Sequence, residues 1–289
     1  MNLGNRYHLP LRDNQPLAEV RSCHCLTISR QFELGRDAGP ASARNSSKGA
    51  LVSEAQAVFR AIGDGTPLSD LRQACLSGRL LRNPARETRR RIWDSIHYRY
   101  LAWNPPQWVI TDLAKAASAE SGSRVFLGLA YLHYARRDCL TFDFVTDRLW
   151  TTWLDKKLAV SRDDVLDFIT EYEQRDDTVK RWRDSTRLKL AGNVLSALRD
   201  FGVLAGVQRK ALQKPLMPTE VALHLCRLLD AQGLRGRAVL DAPDWRLFLF
   251  DIHDVTQVLG QLAQRREIRF EKSGRTTVLD IPRHPQAGE

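Results

Sequence analysis

The hydrophobic period of this chain changes once, and late. From Lys48 to Arg266 apolar residues recur mostly at helical spacing, whereas beyond Arg266 they alternate. Leu51, Ala55, Val58 and Ile62 open the helical pattern, with Ser46 and Ser47 as candidate N-caps and Gly63-Asp64-Gly65 as the stop. A short helix over Leu68 to Cys75 follows. Asn83-Pro84 then reads as the start of a helix running to Leu101, with proline at the first helical position, where its missing N–H costs nothing. Further helices are expected over Gln107 to Glu120, Val125 to Arg136, Phe142 to Leu158, Asp163 to Gln174 and Asp184 to Phe201. Short apolar pieces around Val207 and Leu216, flanked by Arg209, Lys210 and Lys214, interrupt the pattern as a basic ribbon.

Helices from Pro218 to Ala231 and from Asp254 to Arg266 enclose a shorter apolar run from Asp244 to Phe250. Ile268 and Phe270 on one side of Lys272-Ser273-Gly274-Arg275, and Val278, Leu279 and Ile281 on the other, predict a β-hairpin. Three helices followed by a two-stranded ribbon is the order of a winged helix-turn-helix. The expected fold is therefore mainly α: a helical bundle followed by a helical C-terminal half with winged-helix-like β-hairpin elements. Residues 1–43 read as a loosely structured extension, 44–160 as the bundle domain and 161–289 as the winged-helix-like domain. Val109, Leu113, Leu127, Leu132, Phe144, Leu149, Trp150 and Trp153 are candidates for the bundle core.

Several function classes drop out. The most apolar uncharged stretch, Val125 to Ala135, is far shorter than the roughly 18 to 20 residues that span a bilayer. No membrane partner is expected. The N-terminus lacks the features of a secretory signal, and five scattered cysteines do not make a disulfide framework, which together indicate the cytoplasm. Cys23-His24-Cys25 has metal-ligand chemistry at a spacing that does not close a tetrahedral site, so no metal and no cofactor are expected. The common nucleotide-binding, zinc-protease and hydrolase motifs are missing, so the expectation is a protein without catalytic residues. Asp163-Asp164 and Asp176-Asp177 are paired carboxylates placed where helices begin, which reads as capping.

Charge is the informative quantity. The 44 Lys+Arg and 34 Asp+Glu leave a net charge of +10, distributed as +7 over residues 1–100, −3 over 101–176 and +6 over 177–289. Two basic ends favour a polyanionic partner, although arginine-rich usage also follows from a GC-rich genome. Three basic regions are candidates. On the helix after Pro84, Arg86, Arg90, Trp93, His97 and Tyr100 share a stripe with Arg89 beside it. Cations interleaved with aromatics suit a phosphate backbone or unstacked bases, or else the aromatics are core residues with arginines at the rim. Around the start of the helix at Asp184, Lys180, Arg181, Arg183, Arg187 and Lys189 surround Ser185 and Thr186, which suits phosphate contact or a plain N-cap. In the C-terminal unit, Gln257, Gln261 and Arg265 belong to the recognition-helix position, with Lys272 and Arg275 on the wing. Glutamine and arginine match base edges in a major groove and wing cations match flanking phosphates, though winged helices also bind proteins.

The order of these pieces resembles the BrxA family of bacteriophage-exclusion (BREX) defence systems. The resemblance spans roughly Ser42 to Pro282. It rests on the opening Ser47-Lys48-Gly49-Ala50-Leu51, the arginine-rich helix from Asn83 to Tyr100, and the run from Trp182 to Leu190 continuing into Leu195 to Leu204. It implies a non-enzymatic component with a bundle similar to the antitermination factor NusB and a capacity to bind double-stranded DNA. A methyltransferase, an alkaline-phosphatase-like protein and an ATPase would carry the system's chemistry, and contacts to such BREX proteins are implied. Two other readings stay open. One is an assembly factor whose basic surfaces meet acidic protein partners, and the other is an RNA-binding NusB-like protein.

Overall fold

A computed structural model of the chain describes residues 34–36, 39–119, 123–274 and 276–282. Cys23-His24-Cys25, Arg275 and nearly all of the N-terminal extension lie outside the described residues. The fold is mainly helical. Helices α1 (Val52–Gly63), α2 (Leu68–Leu76), α3 (Arg86–Tyr100), α4 (Gln107–Ser118) and α5 (Ser123–Arg136) occupy the first half. α5 is the central element. Phe126, Leu129, Ala130, Tyr131, Leu132, Tyr134 and Ala135 are all buried, and apolar residues around most of its circumference mark a helix packed on several sides.

Two contacts show how α5 joins the halves. A Cβ on Gly128 would lie 2.8 Å from Val221 Cγ2, so glycine permits close approach of α5 to α11 (Thr219–Ala231). Tyr131 packs on Phe201 and Phe248 and donates its hydroxyl hydrogen to the Leu247 carbonyl at 2.8 Å. One continuous buried cluster therefore extends from Leu34 to Ile281.

Several helix ends differ from the sequence reading, and in two cases a guanidinium is the cause. The first helix is not capped by Ser46 or Ser47. Arg99, only 3% exposed, takes the carbonyls of Lys48, Gly49 and Ala50, so the chain enters α1 only at Leu51, in a left-handed conformation. Likewise α3 starts at Arg86, not at Pro84. The Asn83 and Pro84 carbonyls, which a helix starting there would need for its backbone, accept from Arg89 Nη1 at 2.5 and 2.8 Å. Ser185 and Thr186 do not cap the later helix α10 (Asp184–Asp200), whose N-cap position is Arg183 without a side-chain bond.

The expected helix from Phe142 to Leu158 is three pieces: α6 (Cys139–Asp143), a π-helical segment (Phe144–Leu149) and α7 (Trp150–Leu154). The wider π turn buries Phe144, Val145, Thr146 and Leu149, four of its six residues. Acidic capping is observed where expected. Ser161 and Asp164 exchange bonds at the start of α8 (Arg162–Tyr172), and Asp176 accepts the Thr178 N–H at 2.8 Å at the start of α9 (Asp177–Lys180).

The basic ribbon after α10 is β2 (Leu204–Ala205) with β3 (Lys210–Leu212). Its other neighbour, β1 (Ala159–Val160), comes from before α8, in the antiparallel order β1-β3-β2. Gly206 turns the ribbon at φ +87°, and a Cβ there would lie 2.1 Å from the Arg209 carbonyl oxygen. After α11 come α12 (Arg237–Leu240), which has no counterpart in the sequence reading, a 3-10 helix (Pro243–Phe248) and α13 (Ile252–Gln264). α13 begins two residues earlier than expected because Asp251 and Asp254 form a reciprocal capping box. The predicted hairpin is present as β4 (Arg269–Ser273) and β5 (Thr276–Asp280), paired from Arg269 with Asp280 to Ser273 with Thr276.

Candidate nucleic-acid interface

The three basic regions differ in how much of their charge faces solvent unpaired. On α3 the aromatic half of the stripe belongs to the core: Trp93 is 5% and Tyr100 1% exposed, while Arg86, Arg90 and His97 face outward. Arg90 is bound to Glu87 at 2.7 Å and to Asp94 at 3.0 Å, and Arg91 shares Glu87. Hydrogen bonds from Arg90 and Arg91 hold the Glu87 carboxyl down to about 2, so this part of the helix is charge-balanced. Arg89 points away from any external ligand, because its Nε donates to the Leu76 carbonyl at 2.9 Å as well as to Asn83 and Pro84. Arg86 alone of the three arginines is exposed without such a bond.

That distinction is testable. Arg89→Ala should cost about 1 to 3 kcal/mol, since it removes charged donors from three carbonyls near the α2–α3 connection. Arg86→Ala should leave stability unchanged within about 0.5 kcal/mol. Parallel urea denaturation of the two variants checks this, and equal midpoints would remove the anchoring role from Arg89.

At the start of α10 the cations divide in the same way. Arg187 donates to the Trp182 carbonyl at 3.2 Å and the Val179 carbonyl at 3.1 Å and pairs with Glu173, which fastens α9 to α10. Lys180 pairs with Asp177 at 2.7 Å. Arg181, Arg183 and Lys189 are exposed.

The C-terminal unit presents a coherent outward surface. The apolar residues Val255, Val258, Leu259 and Leu262 of α13 are buried, and His253, Gln257, Gln261 and Gln264 are exposed at steps of four, four and three. They form one polar stripe along the helix. Arg265, beyond its end, is exposed and reaches Thr219 Oγ1 at 2.6 Å. Lys272 on β4 lies beside the same helix, with Nζ 3.3 Å from Thr256 Oγ1. Lys214 from the preceding ribbon pairs with Asp254 and sits 4.8 Å from the centre of the Phe250 ring, adding a cation at the helix start.

Sequence patterning gave no sign of the buried polar groups beneath these surfaces. Arg136 and Asp244 form an ion pair with side chains 0% and 2% exposed. His133 Nε2 lies 3.0 Å from His224 Nε2, and His224 Nδ1 lies 2.7 Å from Asp112 Oδ2. Trp103 stacks on His133 and Trp108 lies against His224. Asp138 accepts from Asn45 and Thr141, and Asn45 in turn accepts from Arg99. These contacts link α3, α4, α5 and α11 within the core.

Comparison with known proteins bears on most of the chain, although the family match ends before α12, α13 and the hairpin. The family model described as BrxA matches residues 42–228. The crystal structure of an uncharacterized protein from Magnetospirillum magneticum is similar with a TM-score of 0.54 at 16% identity, covering 73% of this chain and 100% of that one, which is a likeness of fold. No curated protein matches.

Proposed function

Because the chain belongs to the BrxA family, we propose that it acts in bacteriophage exclusion as a DNA-binding component that performs no catalysis. On this reading residues 219–280 are a winged helix-turn-helix, with α13 as the recognition helix and the β4–β5 hairpin as the wing. The α1–α5 bundle is its NusB-like partner. The setting is cytoplasmic, the ligand is double-stranded DNA, and other BREX proteins supply the chemistry.

The observation that carries the reading is the outward stripe of α13, Gln257 and Gln261 flanked by Arg265 and Lys272. A major groove admits an α-helix, and glutamine amides match the donor and acceptor edge of adenine. Exposed Arg181, Arg183 and Lys189 add phosphate contacts of the kind that hold a duplex without reading it. Few of the exposed groups suit base readout, so affinity should fall steeply with salt and depend weakly on sequence.

Fluorescence anisotropy with a labelled duplex at 50 and 200 mM salt tests the proposal. Gln257→Ala/Gln261→Ala should remove the weak sequence preference, a loss of about 1 kcal/mol or roughly 5-fold on the preferred duplex. Lys272→Glu should weaken binding to all sequences alike and flatten the salt dependence. Binding indifferent to salt, or unchanged in both variants, would sink the proposal.

A further inference from the structure

α1 and the segment joining α2 to α3 enclose an open cleft of about 670 Å³, apart from the α10 and α13 surfaces proposed for duplex DNA. Arg60 reaches it from α1, and Arg79 and Arg82 reach it from the connecting segment. Arg60 is held in place, its Nε and Nη2 donating to the Ala117 carbonyl at 3.4 and 3.2 Å. Arg79 and Arg82 are exposed, and among the described residues neither meets a carboxylate, although Glu54 and Asp64 line the same cleft. The segment that carries them is itself fixed, since Arg89 binds the carbonyls of Asn83 and Pro84. The cleft thus has a wall anchored by Arg89 and two guanidiniums without a carboxylate partner among the described residues.

We infer that this cleft is a phosphate-binding site. A guanidinium presents a planar fork of donors that matches phosphate oxygens two at a time, and Arg79 and Arg82 both line this concavity, with Arg60 beside them. The size is that of a small-ligand site. No aromatic ring lines it, so a base gains no stacking platform, and recognition is of the phosphate itself. The Glu54 and Asp64 carboxylates also line the cleft and can accept from hydroxyl or amino groups beside a phosphate, which favours the phosphate end of a nucleotide. A phosphodiester of a nucleic-acid backbone offers the same chemistry at lower charge density.

The inference is independent of the α13 stripe, and its test separates the two. The full-length chain is titrated calorimetrically with ATP and with inorganic phosphate at low salt, and by anisotropy with the labelled duplex. The variants are Arg79→Ala/Arg82→Ala and, as a charge-matched control outside every surface proposed for binding, Arg124→Ala/Arg162→Ala. Saturable ATP binding that weakens at least tenfold in the first variant and persists in the control supports the site, with a free nucleotide as the source of phosphate. Duplex affinity lost in the first variant without ATP binding to the wild type also supports it, with the polynucleotide as the source. Both variants should keep the wild-type melting midpoint, because all four arginines are exposed. ATP, phosphate and duplex titrations that all match the wild type in Arg79→Ala/Arg82→Ala would overturn the inference, whatever the Gln257→Ala/Gln261→Ala result.

Discussion

Replacing Asp244 by alanine is expected to destabilise the protein by about 3 to 5 kcal/mol, the usual effect of leaving a buried charge without its partner. The Arg136 guanidinium at the end of α5 is fully buried, and Asp244 in the 3-10 helix before α13 is its counter-ion. Its other acceptor is the Leu34 carbonyl at 3.4 Å, and its Nε has no partner. Burial holds the Arg136 pKa below the ordinary arginine range even with Asp244 beside it, so removing that carboxylate strands an arginine that water does not reach. A double replacement, Arg136→Met/Asp244→Leu, should recover most of the loss, because an apolar pair has no charge to desolvate. Urea unfolding of the wild type and the two variants checks this. A loss below about 1 kcal/mol in Asp244→Ala, or no recovery in the double variant, would show that the pair is not the clamp between α5 and the C-terminal unit.

The histidine pair should make stability depend on pH between neutrality and pH 5. One proton assignment satisfies its contacts: His224 Nδ1–H donates to Asp112, and His133 Nε2–H donates to the bare His224 Nε2. His133 Nδ1 is then the nitrogen without a proton, in agreement with its having no partner. Both rings are neutral. Burial holds His133 well below the ordinary histidine value, helped by His224, Arg136 and Arg137; burial also lowers His224, against the pull of Asp112 and with Arg227 and Arg136 adding to the lowering. With folded values below the unfolded value of about 6.5, the unfolded chain takes up protons first. The stabilisation is therefore complete above pH 6.5 and is lost as pH falls below it, with a limiting slope of about 1.4 kcal/mol per pH unit for each ring.

Asp138 and Asp143, whose carboxyls burial pushes up, act in the opposite direction at lower pH. Comparison with a His133→Gln/His224→Gln variant therefore isolates the histidine contribution. Denaturation midpoints at pH 7.5, 6.5, 5.5 and 5.0 should fall for the wild type and much less for the variant. Parallel curves would mean that these rings do not govern the response.

Local physics made much of this architecture legible. Gln107, Thr219 and Asp184 open helices close to where periodicity and turn residues place them, and the β4–β5 hairpin falls where the apolar residues alternate. Where the reading failed, the cause lay outside the hydrophobic period, close by for Arg89 and the Asp251–Asp254 capping box and far along the chain for Arg99 and β1. Arg99 delayed α1, Arg89 delayed α3, and β1 entered a ribbon that looked two-stranded because its third member lies on the far side of α8 and α10.

The candidate interface divides along the same line. Period and composition alone determined that the chain is mainly helical, that its basic excess sits at two ends, and that α13 carries glutamines on one face. Tertiary structure decided which cations remain available. Arg89 and Arg187 bind carbonyls or a carboxylate within the fold, and Arg90 is balanced by Glu87 and Asp94, whereas Arg79 and Arg82 line an open cleft. Helical propensity is set by neighbours a few residues away. An arginine's partner and its exposure are set by which segments meet when the core closes, and no spacing along the chain encodes that.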